Sequence, residues 1–122
     1  MFSNYLKLLY HSKTNMREFE VDGIQLKMGR NRDENDALLK SMSPEDTWFH
    51  LEGVPSAHLS MPRDYKKVSK HTLYRIALEV KKSSKFKSNH IIPVLFTYRK
   101  NLTLTDIPAH PEVLGKYETV NA

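Results

Sequence analysis

The sequence contains no cysteine. That excludes disulfides, a thiolate nucleophile and the cysteine-based zinc-finger ligand sets, so stability must come from packing and hydrogen bonds, and a reducing intracellular compartment, the cytoplasm, is the expected location. Long hydrophobic runs are also missing. Nothing approaches the roughly 20 apolar residues of a membrane-spanning helix, and the opening Met1–Tyr10, with Asn4 and Lys7 in it, has no cleavage-site pattern, so neither secretion nor a membrane partner is expected. Catalytic signatures are absent as well: there is no P-loop, no G-x-S-x-G elbow and no H-E-x-x-H. The chain therefore does not read as an enzyme, and no catalytic residue or cofactor is expected. His50 and His58 are two imidazoles without a third ligand at any recognisable spacing, too few for a metal site.

What is present is enough for one domain. At 122 residues, folding should bury roughly two-thirds of the surface that the extended chain exposes. A hydrophobic content of 39% with 27% charged residues is ordinary for a globular chain, and six prolines with four glycines fit a fold with several turns. The charge is unevenly spread. Residues 1–59 hold 7 basic and 9 acidic side chains, residues 60–100 hold 11 and 2, and residues 101–122 hold 1 and 3. Positive charge concentrated in one third of the sequence attracts polyanions whatever the total of +5 implies.

The hydrophobic pattern predicts an α+β fold: antiparallel β-hairpins forming one sheet, with a short helix near 32–41 and a longer helix near 69–82 packed on it. Tyr5–Tyr10 reads as a short strand. Between Glu18 and Arg30, Phe19 and Val21, then Ile24, Leu26 and Met28, alternate with polar residues around Asp22-Gly23, a type I′ turn signal, and this predicts a hairpin. Asn31 is placed to cap the short helix, whose acidic first turn holds Asp33 and Glu34. Ser43-Pro44-Glu45-Asp46 is a turn, and Thr47–Leu51 and Ala57–Met61 form a second hairpin. If its loop is Gly53–Pro55, His50 faces His58 and Trp48 faces Ser60, so these four share one face while Phe49, Leu51, Ala57 and Leu59 share the other, the core. Ser69 caps the long helix, with Leu73, Ile76, Ala77 and Val80 as its apolar stripe and Lys70, Arg75, Lys81 and Lys82 on its other faces. Ile91–Tyr98 is a strand that Pro93 draws toward a sheet edge. Asn101–His110 reads as loop, Gly115–Val120 as a last strand, and the whole chain as one domain with its core at about 18–120.

Binding chemistry is predicted in three places. Arg30, Asn31 and Arg32 lie where a strand gives way to a helix and free amides can receive a phosphate, with a purely structural turn as the alternative. Trp48 offers a π surface beside His50 and His58, suited to stacking and hydrogen bonding with nucleotides; the alternative is that Trp48 is simply core, as tryptophan usually is largely buried. Lys66, Lys67, Lys70, Lys81, Lys82, Lys85 and Lys87 can engage phosphates without reading sequence, and Ser84 can add a neutral hydrogen bond. RNA is the partner expected, a tRNA or ribosomal RNA, with DNA as the lesser possibility. The alternative is a protein-interaction module that docks on an acidic or ribosome-associated partner without touching nucleic acid.

Two motifs sharpen this. Gly29-Arg-Asn31-Arg-Asp-Glu-Asn35-Asp36 resembles G-[KR]-N-x-x-x-N-[DE], and Asp46-Thr-Trp48-Phe-His50 followed by Pro55-Ser56-Ala57-His58 resembles D-x-W-[FL]-H and P-[GS]-[SA]-H. In this order they are similar to the NFACT-R domain, found at one end of ribosome-quality-control tailing factors and in small stand-alone proteins such as the coiled-coil-domain protein 25 group. Ser83-Ser84-Lys85 matches that family more loosely, and the resemblance spans residues 20–120. It implies an RNA-binding module and adds Asn35 and Ser56 to the candidate site. The N-terminal lobe, helix-hairpin-helix region and coiled coils of the larger relatives have no counterpart in the sequence, so peptide tailing and the membrane or DNA-sensing roles of the small relatives are not implied.

Overall fold

The computed structural model describes residues 16–122; the strand expected at Tyr5–Tyr10 lies outside them. Strands β1 (Arg17–Val21), β2 (Ile24–Met28), β3 (Thr47–Leu51), β4 (Leu59–Met61), β5 (Pro93–Tyr98) and β8 (Glu118–Asn121) form one antiparallel sheet in the order β1-β2-β4-β3-β5-β8. Two further strands, β6 (Leu102–Thr103) and β7 (Glu112–Val113), pair as a separate ribbon. Among the described residues the α-helices are α1 (Arg32–Ser41) and α2 (Lys70–Lys82). This is the α+β architecture expected from the sequence.

Local chemistry accounts for the element ends. Asp22 and Gly23 have φ of 50° and 81°, both in the left-handed region that a type I′ turn requires. The side chain of Asp22 then fastens the turn to α2, accepting from Thr72 Oγ1 at 2.7 Å and pairing with Arg75. Asn31 Oδ1 accepts from the Glu34 amide at 2.9 Å, and Ser69 Oγ accepts from the Thr72 amide at 3.1 Å. Each cap satisfies an amide that the first helical turn leaves without an intrahelical acceptor.

The register of β3 against β4 pairs Trp48 with Ser60 and Phe49 with Leu59, as the loop Gly53–Pro55 requires. The ladder stops there, and Ser56 Oγ takes over beyond it, accepting from the Leu51 amide at 3.0 Å. Strand alternation then divides the protein into layers. Phe49, Leu51, Leu59, Met61, Val94 and Phe96 face α2, meeting Leu73, Ile76, Ala77 and Val80 in the main core. Trp48 faces the opposite way, into a second core made with Leu38 and Leu39 of α1 and Leu102 of β6.

Pro93 does not sit on an edge strand: β5 lies between β3 and β8. Pro93 is its first residue, a position where a missing N–H costs the ladder little. Residues 101–110 are also not loop throughout, since Leu102–Thr103 pairs with Glu112–Val113. Arg99 binds this ribbon to α1, donating from Nε to Leu39 O at 2.7 Å and from Nη1 to Leu102 O at 3.1 Å.

Candidate nucleic-acid interface

The turn from β2 into α1 is built around the close approach of two residues. A Cβ at Gly29 would lie 2.1 Å from Asn35 Oδ1 and 2.8 Å from the Asn35 amide nitrogen, so only glycine fits. Asn35 Oδ1 accepts from the His58 amide at 3.1 Å, and the Gly29 amide donates to His58 O at 3.0 Å. The two sequence motifs are thus hydrogen-bonded to each other. Arg30 completes the turn: its backbone amide and Nε both donate to Glu34 Oε1, and Nη2 donates to Oε2 at 2.8 Å. These bonds hold the Glu34 carboxyl below its usual range. They leave half of the Arg30 side chain exposed, at 54%, where a guanidinium can still meet a phosphate.

The Trp48 and histidine cluster is not the open platform expected. Trp48 is 4% and His58 2% exposed, because α1 and the β6–β7 ribbon cover that face of the sheet. Trp48 Nε1–H donates to His58 Nδ1 at 3.1 Å, His50 stacks on the indole with ring centroids 5.3 Å apart, and the His50 and His58 rings meet edge to face at 4.9 Å. Base stacking on the face of Trp48 is thereby excluded. Burial, reinforced by His50 and His110, pushes His58 down to about 3, and burial also lowers His50. Both rings are neutral at physiological pH. Among the described residues, no group of three or more His, Asp or Glu side chains is arranged to hold a metal. A cleft of about 540 Å³ opens over the cluster, lined by Arg32, Asn35, Trp48, His50, Ser56 and His58 together with His110 and Pro111.

A second cleft, of about 550 Å³, lies on the other side of the Pro55-Ser56 loop, and Asn35, Pro55 and Ser56 line both. Its cations are Arg17, Arg30 and Lys85, with Asn31, Ser83, Ser84 and Phe86 between them. The structure therefore joins the Arg30 turn, Ser56 and the Ser84-Lys85 loop, which are distant in sequence. Arg17 had no sequence signal beyond its charge; it is held over the Phe19 ring at 4.2 Å and faces Glu79 at 3.6 Å. The serine hydroxyl protons are committed to the chain, from Ser83 Oγ to Val80 O at 2.8 Å, from Ser84 Oγ to Lys81 O at 2.7 Å and from Ser56 Oγ to Ala57 O at 3.0 Å.

The lysines do not form one surface. Lys81 is 9% exposed and its Nζ donates to Ala122 O at 3.1 Å and His90 O at 3.3 Å. It lies four residues after Ala77, which places it on the buried stripe of α2 and withdraws it from the phosphate contacts expected of it. Lys66, Lys67 and Lys70 are exposed at the start of α2, whereas Lys82, Lys85 and Lys87 are exposed at or beyond its end. Thirteen residues at 1.5 Å each put about 20 Å of helix between the two groups. Of these six, only Lys85 lines the Arg30 cleft.

Residues 11–110 match the family described as the NFACT protein RNA binding domain. No curated protein matches the chain. Among solved structures, the C-terminal part of the fibronectin/fibrinogen-binding protein from Streptococcus suis is similar, with a TM-score of 0.76 at 22% identity, covering 87% of this chain and 44% of that one. The chain thus spans less than half the length of that structure, and at this identity the likeness is one of fold.

Proposed function

The chain belongs to the NFACT RNA-binding domain family, and we propose that it is a non-enzymatic module that binds structured RNA, a tRNA or ribosomal RNA, at the two clefts flanking the Pro55-Ser56 loop. The observation that carries this reading is the convergence of Arg17, Arg30 and Lys85 on one cleft. None of the three is buried. Cations held around a concave surface neutralise phosphates and release their counterions, which supplies affinity independent of sequence. Arg32 lines the adjoining cleft and extends the positive rim. Lys82 and Lys87 add charge beside it, while Lys66, Lys67 and Lys70 are left to a peripheral role.

The test is fluorescence anisotropy of a labelled tRNA with the full chain over a range of salt. Binding that weakens with a log–log slope of about −2 to −3, as three phosphate contacts require, and that is lost in Arg30→Glu and Lys85→Glu, supports the assignment. Absence of binding at low salt would refute it.

A further inference from the structure

The two clefts differ in chemistry, and the difference assigns them separate parts of a nucleotide. In the Arg30 cleft the charged groups are the three cations Arg17, Arg30 and Lys85. In the other, His50 and His58 are uncharged and the walls include Trp48, Leu95, Pro111 and Val113, with Arg32 and Glu52 as its charged residues. A pocket with apolar walls and a few fixed, uncharged ring nitrogens suits a planar heterocycle better than a phosphate.

The polar atoms can be assigned from their hydrogen bonds. His50 Nδ1 meets the carbonyl of Leu51, so Nδ1 carries the proton and Nε2 is a free acceptor. His58 Nδ1 receives the indole N–H of Trp48, so its proton is on Nε2, a free donor. Neither Nε2 has a partner among the described residues. Yet among those residues no buried polar side-chain atom lacks a partner, so both nitrogens reach solvent, at the cleft that both rings line. The cluster therefore presents one acceptor and one donor on adjoining rings. The hydrogen-bonding edge of every nucleobase offers the converse, an N–H donor beside an oxygen or nitrogen acceptor.

We propose that the cleft between the β3–β4 loop and residues 109–111 holds one unpaired nucleobase, bonded along its edge to His50 Nε2 and His58 Nε2–H, with the phosphate of the same nucleotide in the Arg30 cleft. The shared wall of Asn35, Pro55 and Ser56 is what lets one nucleotide reach both. This rests on the RNA-binding reading and adds that the RNA segment recognised is a single-stranded loop or end, since a paired base has no free Watson–Crick edge and stays stacked in the helix.

Trp48 is the only tryptophan and lines the proposed pocket, so its emission reports occupancy. The full chain is titrated with a labelled single-stranded RNA pentamer and with the same pentamer made abasic at its central three positions. The pocket predicts that the pentamer changes Trp48 emission and binds about tenfold or more tightly than the abasic form, which leaves the emission unchanged. His50→Phe keeps a ring on Trp48 but removes the acceptor, and should cost about tenfold in affinity for the pentamer, within the range of a lost base-edge contact; retained far-UV circular dichroism shows that the variant is folded. Equal binding of the two pentamers with Trp48 emission unmoved overturns the pocket and leaves the RNA-binding reading standing. If neither pentamer nor a structured tRNA binds at low salt, both fall together.

Discussion

Trp48 donates its indole N–H to Nδ1 of His58 at 3.1 Å, a buried bond that fixes the imidazole tautomer and ties β3 to the segment entering β4. It makes the tryptophan a strut beneath the candidate site. Trp48→Phe leaves His58 Nδ1 without a donor in a buried setting, a cost of about 1–3 kcal/mol, before any loss of packing. Urea unfolding followed by circular dichroism measures it. A variant as stable as the parent would show that the bond holds nothing together.

A second prediction concerns pH. Unfolded, His58 takes up its proton near its ordinary value of 6.5; folded, it stays neutral until about 3. Between those values the unfolded state binds the extra proton, so stability falls as pH drops below 6.5, by up to about 1.4 kcal/mol per pH unit, and the fall ends as the folded value is passed. His50, lowered for the same reason, adds in the same direction. Unfolding measured at pH 7 and pH 5, before most carboxylates titrate, should show the loss, and the His58 ring proton should not shift in NMR spectra over that range. A His58 midpoint near 6.5 would contradict the buried bond.

Gly29→Ala should disturb the site without touching its charges. The added methyl overlaps Asn35 Oδ1, so Asn35 must leave and the His58 amide loses its acceptor. Overpacking of this kind costs about 1–3 kcal/mol, and the lost hydrogen bond adds about 1 kcal/mol. A thermal melt indistinguishable from the parent would mean that the turn has room the structure does not show.

Neighbouring lysines should behave differently. Lys81→Glu puts a carboxylate where Nζ now donates to the carbonyls of Ala122 and His90, and is expected to destabilise the fold by about 3–5 kcal/mol, as for an uncompensated buried charge. Lys82→Glu, on the exposed side, should leave the melt unchanged and weaken RNA binding. The opposite pattern would overturn the placement of Lys81.

Much of this was legible in the residues themselves. Asp22-Gly23, Asn31 and Ser69 announce turns and caps because their chemistry is local, and the pairing of Trp48 with Ser60 follows once a three-residue loop is assumed. Alternation separates the face of Trp48 from that of Phe49, but it cannot tell which face is covered by a later part of the chain. The cover over Trp48 comes partly from Leu102 and Val113, in strands of two residues each, too short for any periodicity. Lys81 was legible in its spacing from Ala77, but its charge pointed outward. The union of Arg17, Arg30 and Lys85 needs the tertiary fold, since these residues span most of the chain.

The central claim, that RNA is received at the clefts on either side of Pro55-Ser56, is tested most directly by NMR titration of the labelled chain with tRNA. The account predicts amide shifts concentrated at Arg30, Asn31, Arg32, Ser56, Ser84 and Lys85, with Lys66, Lys67 and Lys70 changing little. Shifts centred on residues 66–70, or none at all at low salt, would contradict it.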